Sequence, residues 1–236
     1  MGGTKRLIPA AALLVAVLLA ATAWAEEYPT LGMCTGSSVR IREEPDTDSR
    51  IVGKLDDYDQ FVLLGETSVE GDTWYEIDNP TGAGTAWVFG KYVDTYKGDA
   101  LETPGFAMQV AVIRSFGIAP AKARAIFGKP SKETMEKFHF DPANRDMIRR
   151  ELSWSTHNAE YVDDRLCRVR VTKGIMPFGN IRIGDPESKV RDLLGDPSGD
   201  DPDEGLSWEI DPIHFLYFKI QNGCVTSMTY AAYLDA

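Results

Sequence analysis

The side chains that carry chemistry in this 236-residue sequence are scattered along it. Three cysteines and three histidines are present, and they form no C-x-x-C pair and no cysteine–histidine cluster with metal-site spacing. The sequence contains no G-x-S-x-G, H-E-x-x-H, S-x-x-K, P-loop or dinucleotide-binding glycine pattern. The acidic run at 199–205 does not have the alternating ligand positions of a calcium loop, so a solvated turn is the better interpretation. We therefore predict no catalytic residue, no metal site and no cofactor, and we do not expect an enzyme.

Composition and charge exclude further classes of protein. The chain is 43% hydrophobic and 26% charged, and its 25 basic and 36 acidic residues give a net charge of -11. That composition is typical of a globular protein and not of a polytopic membrane protein, a collagen-like repeat or a disulfide-dense miniprotein. The acidity argues against a nucleic-acid partner and against adhesion to anionic lipid.

The one long apolar segment predicts export. Two basic residues precede the apolar run 7–21, and an A-x-A cleavage pattern ends at Ala25. An uncleaved membrane anchor is the alternative, but the run after Pro9 is shorter than the roughly 20 residues that a spanning helix needs. We expect a signal peptide over 1–25, no stable membrane insertion after its cleavage, and a periplasmic or secreted mature chain of charge -13.

Short alternating segments between Val39 and Val93 predict a small antiparallel barrel. The segments have four to seven residues, turn residues separate them, and no stretch with helical periodicity lies between them. They read VRIR, RIVGKL, QFVLLGE, GDTWYEI and TAWVFGKYV. Residues 26–96, which we expect to form this domain, contain 15 acidic and 5 basic residues, so the domain favours basic or amine-bearing partners.

The order of these segments resembles the bacterial SH3-type (SH3b) family. The matching features are Val39–Arg42 with Pro45, Ile51–Leu55, Phe61–Leu64, Trp74–Ile77, and Ala86–Val88 followed by Tyr92 and Val93. Ala86 stands where the family often has glycine. The resemblance implies a noncatalytic module that binds peptidoglycan, its peptide stems or another protein.

Aromatic side chains near strand ends are the candidate contact residues of this domain. They are Trp74, Tyr75, Phe89 and Tyr92. Rings offer a large contact area at a small cost in conformational entropy. A place in the core is the alternative for Trp74, and it is the better interpretation for Trp87, because so small a domain has few large apolar residues to bury.

The rest of the chain contains an internal duplication. Residues 117–130 align with residues 184–197 at a shift of 67, and both copies read glycine, a short amphipathic helix, then Gly-x-Pro. The glycine of Gly-x-Pro is suited to end the helix in a left-handed conformation. Leu-Ser-Trp and two strand-like stretches follow in each copy, and we expect both tryptophans, Trp154 and Trp208, in the core. The first copy is longer by 13 residues, over which 132–138 and 147–150 look helical.

The duplication predicts two α+β units, each a helix packed on three antiparallel strands. The expected organisation is multidomain: a signal peptide at 1–25, an SH3-like all-β barrel at 26–96, a linker at 97–108, and α+β repeats at 109–174 and 175–236. Residues 97–174 carry a net charge of +4 and residues 175–236 a net charge of -7, which favours docking of the two repeats or a polar face for a partner.

The pattern of the second copy resembles the outer-membrane assembly lipoprotein family BamE (SmpA/OmlA). It reads G-x-x-x-x-x-V-x-x-L-L-G-x-P, followed by a tryptophan-containing strand, an aromatic strand and a V-x-x-M strand. The doubled unit is also similar to the tandem-repeat β-lactamase inhibitor proteins. Both resemblances imply a fold and a noncatalytic binding role.

The two cysteines of the duplication, Cys167 and Cys224, occupy equivalent positions after a turn. In an oxidising compartment a disulfide between them is possible, provided that their Cα atoms lie within about 7 Å.

Together these patterns predict a noncatalytic exported envelope protein that binds a protein partner or a peptidoglycan peptide. Two alternatives stay open: a secreted or periplasmic inhibitor of a hydrolase, and an accessory protein that targets a cell-wall hydrolase.

Overall fold

Two antiparallel β-sheets make up most of the protein. The computed structural model describes residues 28–96, 103–140, 145–174, 178 and 181–233. The expected signal peptide lies outside these residues. Strands contain 51% and helices 17% of the described residues. The protein is therefore mostly β, and the expected α+β domain of helix-on-sheet repeats is wrong.

The first sheet contains seven strands from the N-terminal half of the chain. The strands are β1 (Thr30–Cys34), β2 (Val39–Arg42), β3 (Ile51–Leu55), β4 (Gln60–Val69), β5 (Asp72–Asp78), β6 (Thr85–Phe89) and β7 (Val93–Thr95). Their order in the sheet is β3-β2-β6-β5-β4-β1-β7, and one turn of 3₁₀ helix, Gly90–Tyr92, joins β6 to β7. Every segment predicted as a strand contains one. Strand β1 was not predicted, because it pairs with β4 and β7 and shows no clear alternation of its own.

One helix, α1 (Pro104–Phe116), follows the first sheet. It begins inside the stretch expected to be a linker. The expectation rested on the Pro-Gly pair at 104–105, but proline also suits the first turn of a helix, where its missing N–H needs no partner. The Thr103 hydroxyl caps the helix by accepting a hydrogen bond from the Phe106 N–H at 3.2 Å.

Helix α1 contributes to two hydrophobic cores. One set of its side chains packs with Leu31 and Val62 of the first sheet: Phe106, Val110 and Ile113. Another set packs in the core of the second sheet: Met108, Val112 and Phe116. The helix is therefore buried between the two sheets.

The second sheet contains eight strands, and two short helices pack with it. The helices are α2 (Pro120–Phe127) and α3 (Glu187–Leu194), and the strands are β8 (Lys132–Phe140), β9 (Arg145–Ser153), β10 (His157–Val162), β11 (Arg165–Val171), β12 (Gly199–Asp201), β13 (Gly205–Asp211), β14 (His214–Gln221) and β15 (Cys224–Ala232). Their order is β12-β13-β14-β15-β11-β10-β9-β8. Strands β11 and β15 pair in the middle, with Val169 opposite Tyr230.

The two helix-like stretches expected at 132–138 and 147–150 are strands. They form the β8–β9 hairpin, whose pairing runs without a bulge from Lys132 opposite Ser153 to Phe140 opposite Arg145. Helical spacing of charges on an exposed segment is a weak signal, and continuous cross-strand pairing determines its conformation. Each half of the sheet consequently has four strands after its short helix, where three were expected.

The ends of α2 and α3 are held in the same way. Gly128 and Gly195 follow the two helices with positive φ angles of 73° and 78°, but their ψ angles of -165° and -159° differ from the left-handed helical conformation that the Gly-x-Pro pattern predicts. The indole N–H of Trp154 donates to the Gly128 carbonyl at 3.2 Å, and that of Trp208 donates to the Gly195 carbonyl at 3.1 Å. Trp208 is buried as expected, whereas Trp154 is only half-buried.

Polar contacts join the C-terminal region to the first sheet. Asp78 of β5 pairs with Lys122 of α2, whose side chain is 4% exposed, and with Arg114 of α1 at 3.3 Å. The Ile118 N–H donates to the Pro80 carbonyl at 3.2 Å. The shared helix and these contacts dock the two sheets against each other.

Candidate functional site

The four aromatic residues predicted to contact a partner differ in their exposure. Trp74 and Phe89 face each other across β5 and β6 with ring centroids 5.2 Å apart, and Phe89 contacts Tyr92 at 6.1 Å. Trp74 is 3% exposed and Tyr92 is 38% exposed. Tyr75 is half-buried and packs against the core of the first sheet. The structure therefore places Trp74 as a support behind Phe89, and Tyr92 as the ring with the most accessible surface.

Trp87 is half-buried, although the sequence favoured it for the core. Its neighbours Ala86 and Val88 are fully buried. Successive side chains of a strand point to opposite faces, so these two take the core face and Trp87 takes the other.

Tyr92 lies against the turn between β1 and β2. The Thr35 N–H donates to the Tyr92 carbonyl at 3.1 Å. A Cβ atom on Gly36 would lie 3.1 Å from the ring, so only glycine allows this approach without a shift of the ring. The Lys91 ammonium lies 5.8 Å from the ring centroid, a cation–π contact. These contacts hold the tyrosine ring at the surface in one position.

A second turn, 56–59, is bound to the same β1–β2 turn; we call it the acidic turn. The Cys34 N–H donates to the Asp59 carbonyl and the Tyr58 N–H donates to the Cys34 carbonyl, both at 2.9 Å. The Asp56 carboxylate accepts from the Ser38 N–H at 2.8 Å. The acidic turn is thereby fixed relative to the turn that carries Tyr92.

Tyr58 is the most exposed large ring on this surface, at 69%. Its φ of 66° lies in the left-handed region, which is unusual for a bulky residue and is enriched at functional sites. The sequence indicated a turn at 56–59 but not a role for this ring. One signal for this role was present in the sequence: Tyr58 stands among three aspartates in a turn, where its ring is not required for the hydrophobic core.

Tyr58, Tyr92, Asp56 and Asp57 make up the candidate site, which we call the tyrosine site. Both tyrosines are bound through their backbones to the segment Cys34–Thr35. Asp56 is exposed and Asp57 is half-buried. Exposed tyrosine rings and carboxylates that are fixed on the same backbone segment are suited to bind a cationic group.

The third carboxylate of the acidic turn has a different role. Asp59 is buried, and burial raises the pKa of its carboxyl against the opposing effects of the Asp56 N–H and Arg165. Arg165 of β11 lies 3.3 Å from this carboxylate and donates to the Asp57 carbonyl at 3.2 Å. Asp59 therefore belongs to the contact between the two sheets and not to the tyrosine site.

Cys34 lies under the tyrosine site as a buried thiol. Its Sγ donates to the Gly36 carbonyl at 3.2 Å. Burial raises the pKa of the thiol, and the nearby aspartates raise it further. A neutral thiol is a poor nucleophile, so Cys34 contributes packing rather than reactivity.

The disulfide considered between Cys167 and Cys224 is wrong, since all three cysteines are free. Strands β11 and β15 are neighbours, but their register pairs Arg168 with Ala231 and Val171 with Met228. This register separates the two cysteines by about eight residues along the strands, or roughly 26 Å at ~3.3 Å per residue. Burial also raises the pKa of the Cys167 thiol to about 11.

His214 and its carboxylate partner lie in the second sheet, away from the strands that carry the tyrosine site. His214 and Asp211 form a local pair at 2.7 Å beside Tyr230. Burial opposes ionisation of Asp211, but this histidine and two backbone N–H groups lower the pKa of its carboxyl. Within the described ranges, the histidine, cysteine and acidic side chains form no group of three able to hold a metal ion. No helix among the described residues has the length and apolar character needed to cross a membrane.

Comparison with known proteins identifies the first domain. Residues 37–94 match the family model of the bacterial SH3 domain. This match confirms the SH3-type resemblance, and it covers strands β2 to β6, the acidic turn and Tyr92. No curated protein and no solved structure matched the chain. The resemblance of the remaining chain to BamE and to the inhibitor proteins stays a prediction.

Proposed function

We propose that the protein is a noncatalytic binding protein whose tyrosine site takes a basic or amine-bearing peptide, such as a peptidoglycan stem. The observation that carries this proposal is the pair of exposed rings, Tyr58 and Tyr92, fixed beside the carboxylates of the acidic turn. The match to the bacterial SH3 family supports a binding module that acts on the cell wall or on a protein.

The chemistry of the site favours a cationic ligand over an anionic polymer. The two rings supply contact area and accept a cation on their faces. Asp56 supplies an exposed negative charge, and 15 acidic against 5 basic residues at 26–96 extend the negative field around it. An ammonium group on a peptide stem would experience both attractions.

We also propose that the chain is exported and acts in the cell envelope, after removal of residues 1–25. The basic start, the apolar run and the A-x-A pattern at Ala25 support this proposal. N-terminal sequencing of the protein purified from fractionated cells tests it, with Glu26 expected as the first residue. A protein found only in the cytosol and beginning at Met1 would contradict export.

Inhibition of a hydrolase is a second candidate function, favoured by one surface of the second sheet. Tyr217, Tyr233 and Phe215 form an aromatic group, with the two tyrosine hydroxyls 2.8 Å apart and Tyr233 50% exposed. Tyr217 is buried and Phe215 is half-buried, so Tyr233 is the exposed member of the group, and tyrosine is enriched at protein interfaces. Binding to a hydrolase without binding to peptidoglycan would favour this candidate, and binding to both would favour an accessory protein that targets the hydrolase.

Cosedimentation of the mature chain with purified peptidoglycan sacculi tests the first proposal. We expect the wild-type chain to sediment with sacculi, and Tyr58→Ala and Tyr92→Ala each to weaken binding by about tenfold through loss of ring contact. Tyr233→Ala is the matched control, because it removes a comparably exposed tyrosine from the other sheet.

The salt dependence of binding provides a further check. Attraction between Asp56 and a ligand amine is screened by salt, so wild-type binding should weaken as the ionic strength rises and Asp56→Asn should reduce that dependence. Retention of full affinity in both tyrosine variants, with circular dichroism spectra like that of the wild type, would refute the tyrosine site.

A further inference from the structure

The second sheet ends at β8, a long and exposed edge strand. Strand β8 contains nine residues and pairs along its whole length with β9, and seven of the nine are exposed. The opposite edge is β12, with three residues, Gly199–Asp201. A short edge resists addition of another strand, whereas a long edge presents a row of backbone N–H and C=O groups to a partner strand.

Exposed apolar side chains accompany this edge. Met135 of β8 is 61% exposed and Ile148 of β9 is 45% exposed. Ile148 lies opposite Lys137, and Lys137 points to the same face as Met135 because it is two positions further along β8. Met135 and Ile148 therefore lie on the same face of the hairpin. An exposed methionine near the centre of an edge strand is surface that a partner strand would bury.

We propose that β8 pairs antiparallel with β8 of a second copy of this chain, so that the two second sheets form one continuous sheet. The order of the side chains in β8 indicates that the partner strand is a second copy of β8. When Met135 of one copy lies opposite Met135 of the other, Glu133 of each copy lies opposite Lys137 of its neighbour. Opposite charges face each other twice, and the exposed methionines meet on the two-fold axis.

Neighbouring registers fit less well. A pairing centred on Thr134 opposes Lys132 to Glu136 but leaves Met135 opposite Glu133. A pairing centred on Glu136 brings two like charges together on the axis. Charged residues on an edge strand ordinarily prevent it from pairing with strands of other proteins. In β8 their order is complementary to itself, so a second copy of the chain can pair where other strands cannot.

The existing ion pairs of β8 are compatible with this pairing. Glu133 contacts Arg124 and Arg150 at 2.8 and 2.9 Å, and Lys137 contacts Asp146 at 2.6 Å. Arg150 and Asp146 belong to β9, which lies on the paired side of β8, and Arg124 belongs to α2. Addition of a strand would extend these pairs into a network across the dimer axis.

Sedimentation velocity of the mature full-length chain tests the proposal. One pair of strands buries less surface than a standard stable interface, so we expect a reversible dimer that forms between about 1 and 300 µM. Lys137→Glu places like charges opposite each other twice and should raise the dissociation constant by about tenfold or more. Lys132→Glu is the matched control, because it makes the same charge change on the same strand opposite Phe138, and should have a small effect.

A charge exchange provides the decisive measurement. Glu133→Lys alone should also weaken the dimer, whereas an equimolar mixture of the Glu133→Lys and Lys137→Glu chains restores both opposite-charge contacts and should dimerise like the wild type. Should Glu133→Lys fail to fold, the comparison of Lys137→Glu with Lys132→Glu still decides. A wild-type chain that stays monomeric at the highest concentration, or a dimer that Lys132→Glu disrupts and Lys137→Glu does not, overturns the proposal. Neither result depends on the tyrosine site.

Discussion

The His157 imidazole is buried among aromatic rings. It is 6% exposed, stacks on Trp154 with ring centroids 4.9 Å apart, and contacts Phe127 at 4.6 Å. Its Nδ1 lies 2.9 Å from the Thr156 hydroxyl, and its Nε2 is buried without a hydrogen-bond partner. Burial lowers the pKa of His157 from its ordinary value of 6.5.

This lowered pKa predicts loss of stability in acid. Below pH 6.5 the unfolded chain binds a proton at this histidine more readily than the folded chain does, so the free energy of unfolding falls as the pH falls from 6.5 towards the folded-state pKa. Urea denaturation between pH 7.5 and pH 5 should show a smaller decrease for His157→Phe than for the wild type. The exposed His139, replaced by Asn, is the control, and an identical pH dependence in wild type and His157→Phe would contradict the prediction.

At the residue scale, the sequence predicted some roles in the tyrosine site and missed others. It identified Tyr92 as a contact residue because the ring follows a strand in a recognisable SH3-type order. It could not distinguish Trp74 from Tyr92, since both are aromatic residues near strand ends. Tyr58 was missed because the aspartates around it indicate a turn and say nothing about the ring. The exposure of that ring depends on how the acidic turn packs against the turn between β1 and β2.

At the scale of the elements, the helix ends of the C-terminal region are the best-determined feature. Gly-x-Pro predicts a helix end with positive φ, and both glycines have it. Strands β10, β11, β14 and β15 also lie where the alternating stretches predicted them. The β8–β9 hairpin was missed, because its strands are stabilised by cross-strand pairing rather than by local preference.

Replacement of Gly195 by alanine tests the helix end directly. A Cβ at this position meets no atom within 4 Å, so the cost arises from the φ of 78° alone. We expect the free energy of unfolding to decrease by about 1 to 3 kcal/mol. Gly65→Ala is the control, because a Cβ at position 65 has space and the φ of Gly65 is not positive. An equally large loss of stability in Gly65→Ala would show that the positive φ is not the cause of the loss in Gly195→Ala.

At the scale of the whole molecule, the uneven distribution of charge acts within the chain. Among the described residues, the acidic first domain pairs with cations of the basic segment 97–174 through Asp78, which contacts Lys122 and Arg114, and through Asp59, which contacts Arg165. From the sequence, the charges of the two repeats were expected to attract each other or a partner. The structure confirms the attraction between the repeats, since Arg168 and Arg170 of the first repeat both pair with Glu204 of the second, Arg168 at 2.7 Å. The basic segment also docks on the acidic first sheet.

Removal of one charge at this junction should destabilise the fold. Asp78→Asn leaves the Lys122 ammonium, which is 4% exposed, without its carboxylate. We expect the free energy of unfolding to fall by about 3 kcal/mol, because an uncompensated buried charge is costly. Asp94→Asn makes the same change at an exposed position of the first sheet and should have little effect. Equal stability of both variants in urea denaturation would show that the Lys122–Asp78 pair does not stabilise the junction.

Features that depend on local chemistry could be predicted from the order of the residues. These are the acidic composition, the SH3-type order of strands in the first domain, the glycine-terminated helices of the C-terminal region and the acidic turn at 56–59. Each depends on residues within a short segment, where alternation, backbone freedom or the spacing of side chains is sufficient.

Features that depend on contacts between distant residues became evident in the folded chain. Pairing across the chain added β1 and β8, joined both copies of the duplication into a single eight-stranded sheet, and separated Cys167 from Cys224. Docking buried Lys122 and Asp59, and backbone hydrogen bonds tied Tyr58 and Tyr92 to the same segment, Cys34–Thr35. Burial and strand order are properties of the packed chain, and no local pattern contains them.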